Sequence, residues 1–407
     1  MLVKQIITVL SIVFKIVILQ VKAGLSKKNN DIIFVPEFSN EGGALTYFKY
    51  VVQYFQESNI RYFLVLSESE KEIIKEKIAL ENCLGIIDKP EVWRPFFTSK
   101  NSLKTNLRLL NNQLQELVFF SSLNVKFKPA YFMFSVTNPE HYIFEFFLAS
   151  RVIYVCHTSP ADKIDKLKQR VLSWNLGLSK KIVAVSKFEK DEMINSWSID
   201  SNKSRYIEVI HNYYSLRPCN EASDANKFSS PIRILTIGSL EYYKNPLQWI
   251  SIAKKVTKSA GPNQVAFFWV GSGSLYQTCL NECRDEGNIH FEGHQDSVDE
   301  YYRRSHIYFQ PSKYESFGIS AVGAMAHRLP CIVSNAGGLK EIFFEESCGV
   351  VVCSDSEEEY VSNMVEFIYD KSKRLHFGQK GYDVYSKNYM KKDWKQKMDS
   401  LLSSIRH

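Results

Sequence analysis

The chain has 407 residues, of which 45% are hydrophobic and 14% aromatic. This composition excludes a disordered or fibrous protein, and the length is enough for two domains with their own cores. The formal net charge of +7 is uneven, because Lys and Arg outnumber Asp and Glu by 29 to 21 through Arg217 and number 22 to 23 after it. This asymmetry is typical of a first half that faces an anionic membrane or a phosphate-bearing acceptor, although an ordinary basic domain gives the same count. A nucleic-acid-binding role would rest on charge alone, since no recognition motif accompanies it.

The eight cysteines form no C-x-x-C pair and no metal-ligand spacing. Cys156 and Cys331 lie inside apolar runs, as small core residues of a protein in a reducing compartment do. Cys279 and Cys283 are one helical turn apart, but no cluster of His or acidic residues accompanies them. The cysteines therefore predict no metal site.

The first 30 residues are basic and apolar, and Lys15 divides their apolar run into two pieces shorter than the roughly 20 residues of a membrane span. The polar positions form one narrow stripe on a helix: Lys4, Thr8, Ser11, Lys15 and Lys22. This pattern favours an amphipathic helix in the bilayer interface, with its lysines at the lipid headgroups. A helix packed on its own domain, a signal peptide and a membrane span are the alternatives.

Short β-branched runs alternate with helical segments from Asp31 onward. The predicted strands of the first half are residues 32–36, 60–66, 130–135, 151–156, 181–186 and 206–210. Apolar strands that alternate with helices predict a parallel sheet covered on both faces. Residues 31–215 are therefore expected to form one doubly wound α/β domain.

A polar stretch with two prolines and no periodicity predicts an interdomain linker over residues 216–230. The alternation then restarts, with predicted strands at residues 233–238, 265–270, 288–291, 306–310 and 331–334. Residues 231–390 are expected to form a second doubly wound domain. Residues 391–407 predict a final amphipathic helix that crosses back to the first domain.

Candidate binding residues follow the predicted strands at their carboxyl ends, where open α/β sheets bind ligands. Gly42 and Gly43 open a helix after the first strand, and Lys244 precedes a helix in the loop after residues 233–238. The turn GSGSL after residues 265–270 fits phosphate or base contact, or ordinary turn geometry, but it is not the G-x-G-x-x-G fingerprint of a dinucleotide enzyme.

Glu315 stands at a strand end beside the start of a helix of small residues, SFGISAVGAMA. The free N–H groups of that helix end would hold a phosphate, with Gly318 and Ser320 allowing close approach. A carboxylate would repel the phosphate, so Glu315 is better suited to accept hydrogen bonds from hydroxyl groups. A sugar joined to a diphosphate meets both requirements.

The second half resembles the donor domain of the GT-B glycosyltransferases, in particular retaining glycosyltransferase family 4. The segments that carry the resemblance are IGSL-x3-KNP, VGSGSL, FEGHQ, PSKYESFGIS, LPCIVSNAGGLKEI and CGVVV, in the family's order. The first half is similar through NEGG, CHTSP, IVAVSKFEKDEM and VIHNYYS. The resemblance covers roughly residues 31–405. It implies two tandem Rossmann-like domains facing a central cleft, with the acceptor bound by the first, residues 31–215, and the nucleotide sugar by the second, residues 231–390.

The resemblance also implies the roles of particular residues. Glu315 would contact the donor sugar, Lys244 would neutralise the donor diphosphate, and His157 would line the sugar. The amides of Phe317, Gly318, Ile319 and Ser320 would cap the phosphates and sugar, and the Gly42–Gly43 loop would approach the diphosphate. For His157, an ordinary polar residue that closes a strand is the alternative.

Two positions depart from the family pattern. The second acid of the E-x7-E motif, which ordinarily holds the ribose hydroxyls, is Gly323 here. The family's usual Arg is Ser239, so Lys244 is the main visible phosphate cation. These departures make a degenerate GT-B protein, a non-catalytic or weakly catalytic partner subunit, the alternative function.

The combined expectation is a metal-independent, retaining glycosyltransferase of surface polysaccharide or glycoconjugate synthesis, with a glycan or lipid-linked acceptor. No cofactor is expected beyond the nucleotide-sugar substrate, and no nucleic-acid partner. A sugar-nucleotide epimerase or a phosphorylase would share the architecture, but the ESFGI segment fits family 4 better and no lysine suited to pyridoxal phosphate is evident. The basic first half and the N-terminal helix predict a cytoplasmic protein at the inner face of the cell membrane.

Overall fold

The computed structural model describes residues 2–39, 42–75, 78–90, 103–160, 166–216, 231–343, 348–353 and 356–406. The chain divides into two compact units. The first unit comprises Met1–Val185, Lys190–Val209 and Met398–His407, and the second comprises Ser186–Glu189 and Ile210–Lys397. Residues 217–230 of the predicted linker lie outside the described residues.

The first unit is a parallel sheet with helices. Its elements are α1 (Leu2–Gly24), β1 (Ile32–Pro36), α2 (Gly43–Glu57), β2 (Tyr62–Leu66), α3 (Glu68–Lys75), β3 (Cys83–Asp88), α4 (Leu103–Phe127), β4 (Tyr131–Val136), a 3₁₀ turn (Ile143–Phe147), β5 (Arg151–Cys156), α5 (Lys166–Asn175), β6 (Lys180–Ala184), α6 (Lys187–Trp197, whose first three residues belong to the second unit), α7 (Ser201–Ser204) and β7 (Ile207–Val209). The strand order is β3-β2-β1-β4-β5-β6-β7, with every pairing parallel. The six predicted strands are confirmed to within two residues at each end.

Strand β3 was not among the predicted strands. It lies at the sheet edge beside β2, and its side chains alternate between half-buried and exposed positions, with Leu84 and Ile86 each 45% exposed. Gly85 interrupts an already short apolar run, so the sequence carries a weak strand signal here.

The second unit repeats this architecture. Its elements are β8 (Ile232–Ile237), a 3₁₀ turn (Tyr242–Lys244), α8 (Pro246–Ala260), β9 (Val265–Val270), α9 (Tyr276–Glu282), β10 (Ile289–Gly293), α10 (Asp299–Arg304), β11 (Ile307–Gln310), α11 (Ile319–Ala326), β12 (Cys331–Ser334), α12 (Gly338–Phe343), β13 (Val350–Val352), α13 (Glu357–Tyr369), α14 (Lys371–Asn388) and α15 (Lys391–Arg406, whose residues from Met398 belong to the first unit). The strand order is β10-β9-β8-β11-β12-β13, again with parallel pairings.

Each sheet has a point where the chain changes direction. In the first unit the chain adds β2 and β3 on one side of β1 and then returns to place β4 on the other side, with Pro36 opposite Ser135. In the second unit the chain adds β9 and β10 on one side of β8 and then returns to place β11 on the other side. Because the flanking loops diverge at such a switch point, they leave a crevice at the carboxyl ends of the two strands where ligands bind.

Helix α1 packs along α4 in the first unit. Ile12, Ile16 and Ala23 are buried in this contact, and the Gln20 amide donates to the Ser121 hydroxyl at 2.8 Å. One part of the apolar surface that surrounds the polar stripe of α1 is therefore covered by α4. The rest is exposed: Ile6, Ile7, Leu10, Val13, Phe14, Val17, Ile18 and Val21.

Candidate functional site

Lys244 and Glu315 meet at the switch point of the second unit. Lys244 ends the 3₁₀ turn after β8, Glu315 follows β11 by five residues, and Lys244 Nζ lies 2.5 Å from Glu315 Oε2. Both side chains are only 12% exposed, so the ion pair is largely withdrawn from water. Gln310, the last residue of β11, donates from its side chain to the same carboxylate oxygen at 2.9 Å. The two residues that the sequence predicted from separate loops therefore form one hydrogen-bonded cluster.

The Gly337–Gly338 pair explains how Glu315 is held in place. Gly338 N–H donates to the Glu315 carbonyl at 2.8 Å, and a Cβ on Gly337 would lie 2.1 Å from that same oxygen. A Cβ on Gly338 would lie 2.5 Å from the Ser316 carbonyl. Gly337 also adopts a left-handed conformation, with φ of +50°. Only glycine allows the loop before α12 to pack directly on the backbone that carries Glu315.

Helix α11 starts beside this carboxylate. Gly318, at φ +106°, caps the helix, which begins at Ile319, so the N–H groups of its first turn have no partner within the helix. Phe317 is buried, with its ring stacked on that of His211 at 5.7 Å between centroids. The Ser320 hydroxyl accepts from Tyr308 at 3.0 Å. Phe317, Gly318, Ile319 and Ser320 thus lie at the start of α11, two to five residues after Glu315.

Gly323 lies one turn further along α11, inside an aromatic cluster. A Cβ at this position would lie 2.7 Å from the Tyr302 hydroxyl and 2.8 Å from the Tyr214 ring. The tyrosines fill the space that an acidic side chain would need in order to leave the helix. The glycine is therefore required by its neighbours, and the position is closed to the motif's second acid.

Ser239 and the GSGSL turn have local structural partners. The Ser239 hydroxyl lies 2.8 Å from the Tyr243 hydroxyl, within the turn that carries Lys244. Ser274 N–H donates to the Glu241 carboxylate at 2.7 Å, and its hydroxyl donates to the same carboxylate at 2.6 Å. Because the Ser274 N–H already donates to Glu241, it is not available to a phosphate.

His157 lies in the first unit, directly after β5. Its Nε2 lies 2.8 Å from the Ser135 hydroxyl, and its ring makes an edge contact with Tyr47 at 4.6 Å between centroids. Burial lowers the pKa of His157 to about 4, so the imidazole is neutral at physiological pH. Gly42, also in the first unit, precedes α2 with φ of +103°, a conformation that favours glycine, and Gly43 is the first helical residue.

Glu341 on α12 forms an anchor that no sequence pattern predicted. His211 Nε2 lies 2.7 Å from this carboxylate, and Lys187 N–H donates to it at 2.8 Å. Burial raises the pKa of Glu341, but the His211 hydrogen bond and charge, with the N–H groups at the start of α6, outweigh burial and hold the pKa below its usual value. This anchor ties two distant chain segments to the helix that follows the Gly337–Gly338 loop.

Among the described residues, no group of three or more His, Cys, Asp or Glu side chains is arranged to hold a metal ion.

Residues 220–384 match the family model described as Glycosyl transferases group 1. The amylovoran biosynthesis glycosyltransferase AmsD of Erwinia amylovora is 24% identical over 243 residues, which is 58% of this chain and 65% of the relative. The chain spans 65%, 39% and 55% of the length of the first three curated relatives it matches.

Solved structures match almost the whole chain. A glycosyltransferase from Rickettsia africae superposes with a TM-score of 0.71 at 17% identity, covering 93% of this chain and 99% of that one. The Anabaena protein HepE, in complex with UDP and glucose, superposes with a TM-score of 0.67 at 14% identity, covering 92% of this chain and all (100%) of that one. Two parallel-sheet Rossmann-like units that match these proteins along their length establish that the chain has the GT-B fold of glycosyltransferases.

Proposed function

We propose that this chain is a retaining glycosyltransferase that moves a sugar from a nucleotide-diphosphate sugar to a glycan or lipid-linked acceptor, in surface polysaccharide or glycoconjugate synthesis. The observation that carries the proposal is the meeting of Lys244 and Glu315 at the β8/β11 switch point, beside the first turn of α11. The name of the relative AmsD, a glycosyltransferase of amylovoran biosynthesis, and the UDP and glucose bound by HepE support the reaction class.

In the proposed mechanism, each charge of the resting ion pair exchanges its partner for part of the donor. Lys244 turns its charge toward the diphosphate and stabilises it as it leaves, and the N–H groups of the first turn of α11 bind phosphate oxygens. Glu315, kept in orientation by Gln310, accepts hydrogen bonds from sugar hydroxyls. Because a buried charge without a partner is costly, the ion pair keeps both charges compensated until the donor takes over each partner.

The remaining roles follow the family resemblance and stay proposals. Phe317, Gly318, Ile319 and Ser320 contribute backbone contacts to the donor, and in the first unit His157 serves the sugar. Gly42 and Gly43 serve the diphosphate. Retention of the anomeric configuration likewise rests on the resemblance of the segment that carries Glu315. Position 323 offers no acid to the ribose, so ribose recognition falls to other groups.

The reaction is proposed to need no metal ion and no cofactor besides the donor. The reason is that Lys244 and the N-terminal end of α11 supply the positive potential that a diphosphate requires. Purified protein treated with EDTA should transfer sugar at the untreated rate. Strict dependence on added Mg²⁺ or Mn²⁺ would contradict this part of the proposal.

The first test is a thermal-shift screen with UDP-glucose, UDP-galactose, UDP-N-acetylglucosamine, GDP-mannose and ADP-glucose. A donor that raises Tm is then incubated with the protein and a set of methyl glycosides, and products are identified by mass spectrometry and their anomeric configuration by NMR. Binding without donor hydrolysis or transfer would favour the degenerate partner subunit. An inverted product would refute retention while leaving glycosyl transfer in place.

Membrane contact through α1 is the second part of the proposal. The exposed apolar face of α1 is bordered by Lys15 and Lys22, which are also exposed, so aliphatic side chains and headgroup-seeking charges lie side by side. Residues 6–24 are long and apolar enough to span a membrane by composition, but this helix packs along α4 through Ile12, Ile16 and Ala23. A helix held along the protein in this way suits the surface of an anionic bilayer, and we place the protein at the inner face of the cell membrane.

The test changes the exposed face and leaves the packed face intact. Leu10 and Phe14 are 63% and 68% exposed, so the double substitution Leu10→Ser, Phe14→Ser should preserve the fold and weaken sedimentation with anionic liposomes. The matched control is Tyr369→Ser, Leu375→Ser, at residues 65% and 52% exposed in the second unit. Equal binding of all three proteins would refute membrane contact through α1.

A further inference from the structure

A second cluster of charged side chains lies at the β1/β4 switch point of the first unit. Glu37 directly follows β1, Thr137 directly follows β4, and His141 lies five residues beyond the end of β4. Because β1 and β4 are neighbours, these loops meet at the carboxyl edge of the sheet, where open α/β sheets bind ligands. No residue of this cluster was singled out by the sequence.

The geometry orients the imidazole ring. His141 Nδ1 lies 2.9 Å from Glu37 Oε1, and Thr137 N–H donates to the other oxygen, Oε2, at 3.2 Å. The Tyr154 hydroxyl donates to the His141 carbonyl and so fixes the backbone of the loop. A carboxylate can only accept a hydrogen bond, so Nδ1 carries the hydrogen and, in the neutral ring, Nε2 is left as an acceptor.

Nε2 of His141 has no partner among the described residues, and the side chain is 26% exposed, whereas that of Glu37 is 11% exposed. A cavity of about 30 Å³ adjoins the ring, lined in part by Asn138, Glu140 and Lys168. This volume suits a water or two rather than a sugar ring. A sugar would therefore bind at the open carboxyl edge of the sheet and approach Nε2 from there.

The charges of the cluster indicate the kind of ligand. Lys89 lies 3.8 Å from Glu37, and Lys168 lies 3.2 Å from Glu140. Both lysine side chains are almost buried, at 10% and 5% exposure, and each is offset by an acid. A side-chain cluster whose cations are already compensated is suited to neutral hydroxyl groups.

We propose that His141, oriented by Glu37, accepts a hydrogen bond at Nε2 from a hydroxyl group of the glycan acceptor. The inference rests on the proposed function, since it assigns the acceptor's contact in the first unit. In this assignment His141 binds the acceptor directly, and Glu37 is a positioning residue that acts through the imidazole. The two nitrogens of the ring then have separate tasks, one toward the protein and one toward the ligand.

Two amide substitutions separate these tasks. In His141→Asn the side-chain amide can occupy the place of Nδ1 and keep the bond to Glu37, but nothing replaces Nε2. In His141→Gln the longer side chain can place its oxygen near the position of Nε2 and loses the bond to Glu37. KM and kcat for the transferred methyl glycoside, and KM for the donor, are measured for the parent and for both variants.

The proposal predicts that His141→Asn raises the acceptor KM by roughly five- to tenfold, as the loss of one hydrogen bond does. The donor KM should stay at the parental value, and His141→Gln should retain a lower acceptor KM than His141→Asn. If His141→Asn keeps the parental acceptor KM while His141→Gln raises it, the imidazole only ties two loops together, and the proposal is overturned. Circular dichroism and Tm confirm that both variants are folded.

A direct measurement keeps this result separate from the fate of the proposed function. The chain has nine histidines, so ¹⁵N-histidine labelling with His141→Asn as the assignment control identifies the Nε2 resonance. Titration with methyl glucoside, galactoside, mannoside and N-acetylglucosaminide should shift that resonance saturably for at least one sugar, without any donor present. A shift in a protein that binds no sugar nucleotide would uphold glycan binding while refuting transfer. Absence of a shift with a sugar that the protein demonstrably glycosylates would overturn the assignment of His141.

Discussion

The two sheets carry related arrangements at their switch points, with the charges in opposite order. In the second unit the cation, Lys244, follows the first strand of the pair, and the acid, Glu315, follows the second. In the first unit the acid, Glu37, follows β1 and the base, His141, follows β4. The same topology thus brings together one acid and one base from distant segments, and the identity of the base decides the ligand. Lysine suits a diphosphate, whereas the acceptor nitrogen of an imidazole suits hydroxyl groups.

The surroundings of the two pairs also differ. Glu315 sits beside the first turn of α11 and under a double-glycine loop that touches its backbone, so the site combines positive potential with close backbone approach. Glu37 is bordered instead by Lys89, and its second oxygen accepts hydrogen bonds from the N–H and the hydroxyl of Thr137. The surroundings of the Lys244–Glu315 pair therefore suit an anion, and those of the Glu37–His141 pair suit a neutral polar ligand.

The largest effect is expected from Glu315→Gln. If this substitution had no effect, the Lys244–Glu315 pair would not be the donor half of the comparison. Loss of the charge should weaken the bonds to the sugar and leave Lys244 without its partner, so kcat/KM should fall by about 100-fold, as for a lost charge-assisted hydrogen bond. Glu358→Gln, at an exposed residue paired with Lys255, is the matched control. Steady-state kinetics with the donor found by thermal shift provide the measurement. A parental rate at saturating donor would remove Glu315 from the site.

The next effect concerns the loop packed against Glu315. Gly338→Ala would put a Cβ 2.5 Å from the Ser316 carbonyl, and overpacking of this kind costs about 1–3 kcal/mol. Gly287→Ala is the control, because a Cβ there meets nothing within 4 Å. Urea unfolding should give a lower midpoint for the first variant and not for the second. Equal stability of the two would show that the loop shifts without cost.

How much of this comparison the sequence could predict depends on whether each residue carries a local signal of its own. Alternating apolar runs predicted both sheets, and Lys244 and Glu315 were singled out because each lies between a predicted strand and the helix that follows it. The Glu37–His141 pair was missed because its members are 104 positions apart and meet only once β4 is known to lie beside β1. Nothing in either local sequence reports that adjacency.

Two other features show the same limit. Gly323 looked like the loss of an acid, but whether an acid could fit depends on Tyr302 and Tyr214, which come from other elements. In α1 the polar stripe was evident from the 3.6-residue period, whereas the division of the apolar surface into packed and exposed faces depends on contact with α4. A periodic pattern identifies the helix, and the identity of the covering element comes from the tertiary fold.

His157 provides a prediction on stability. Its pKa is about 4 in the folded protein and near 6.5 when unfolded, so the unfolded chain binds more protons below pH 6.5 and stability falls as the pH drops toward 4. Between pH 7 and pH 5 the parent should lose about 1–2 kcal/mol more than His157→Gln, which has no such proton to bind. Urea unfolding of both proteins at the two pH values measures the difference. Parallel losses would show that His157 titrates normally, and the neutral imidazole proposed beside the sugar would lose its support.

The smallest effect is expected at the Glu37–His141 pair of the first unit. Glu37→Gln should raise the acceptor KM by only about three- to fivefold, because a neutral hydrogen bond replaces a charge-assisted one while the ring stays in place. If Glu37 acts through His141, the change should add little once Nε2 is gone, so Glu37→Gln in a His141→Asn background should leave the acceptor KM near that of His141→Asn alone. The donor KM, measured in the same series, should stay constant in all four proteins, since Lys244 and Glu315 belong to the other unit. Additive effects of the two substitutions on the acceptor KM would mean that Glu37 contacts the acceptor itself, and a rise in donor KM would mean that the two switch points do not divide donor from acceptor.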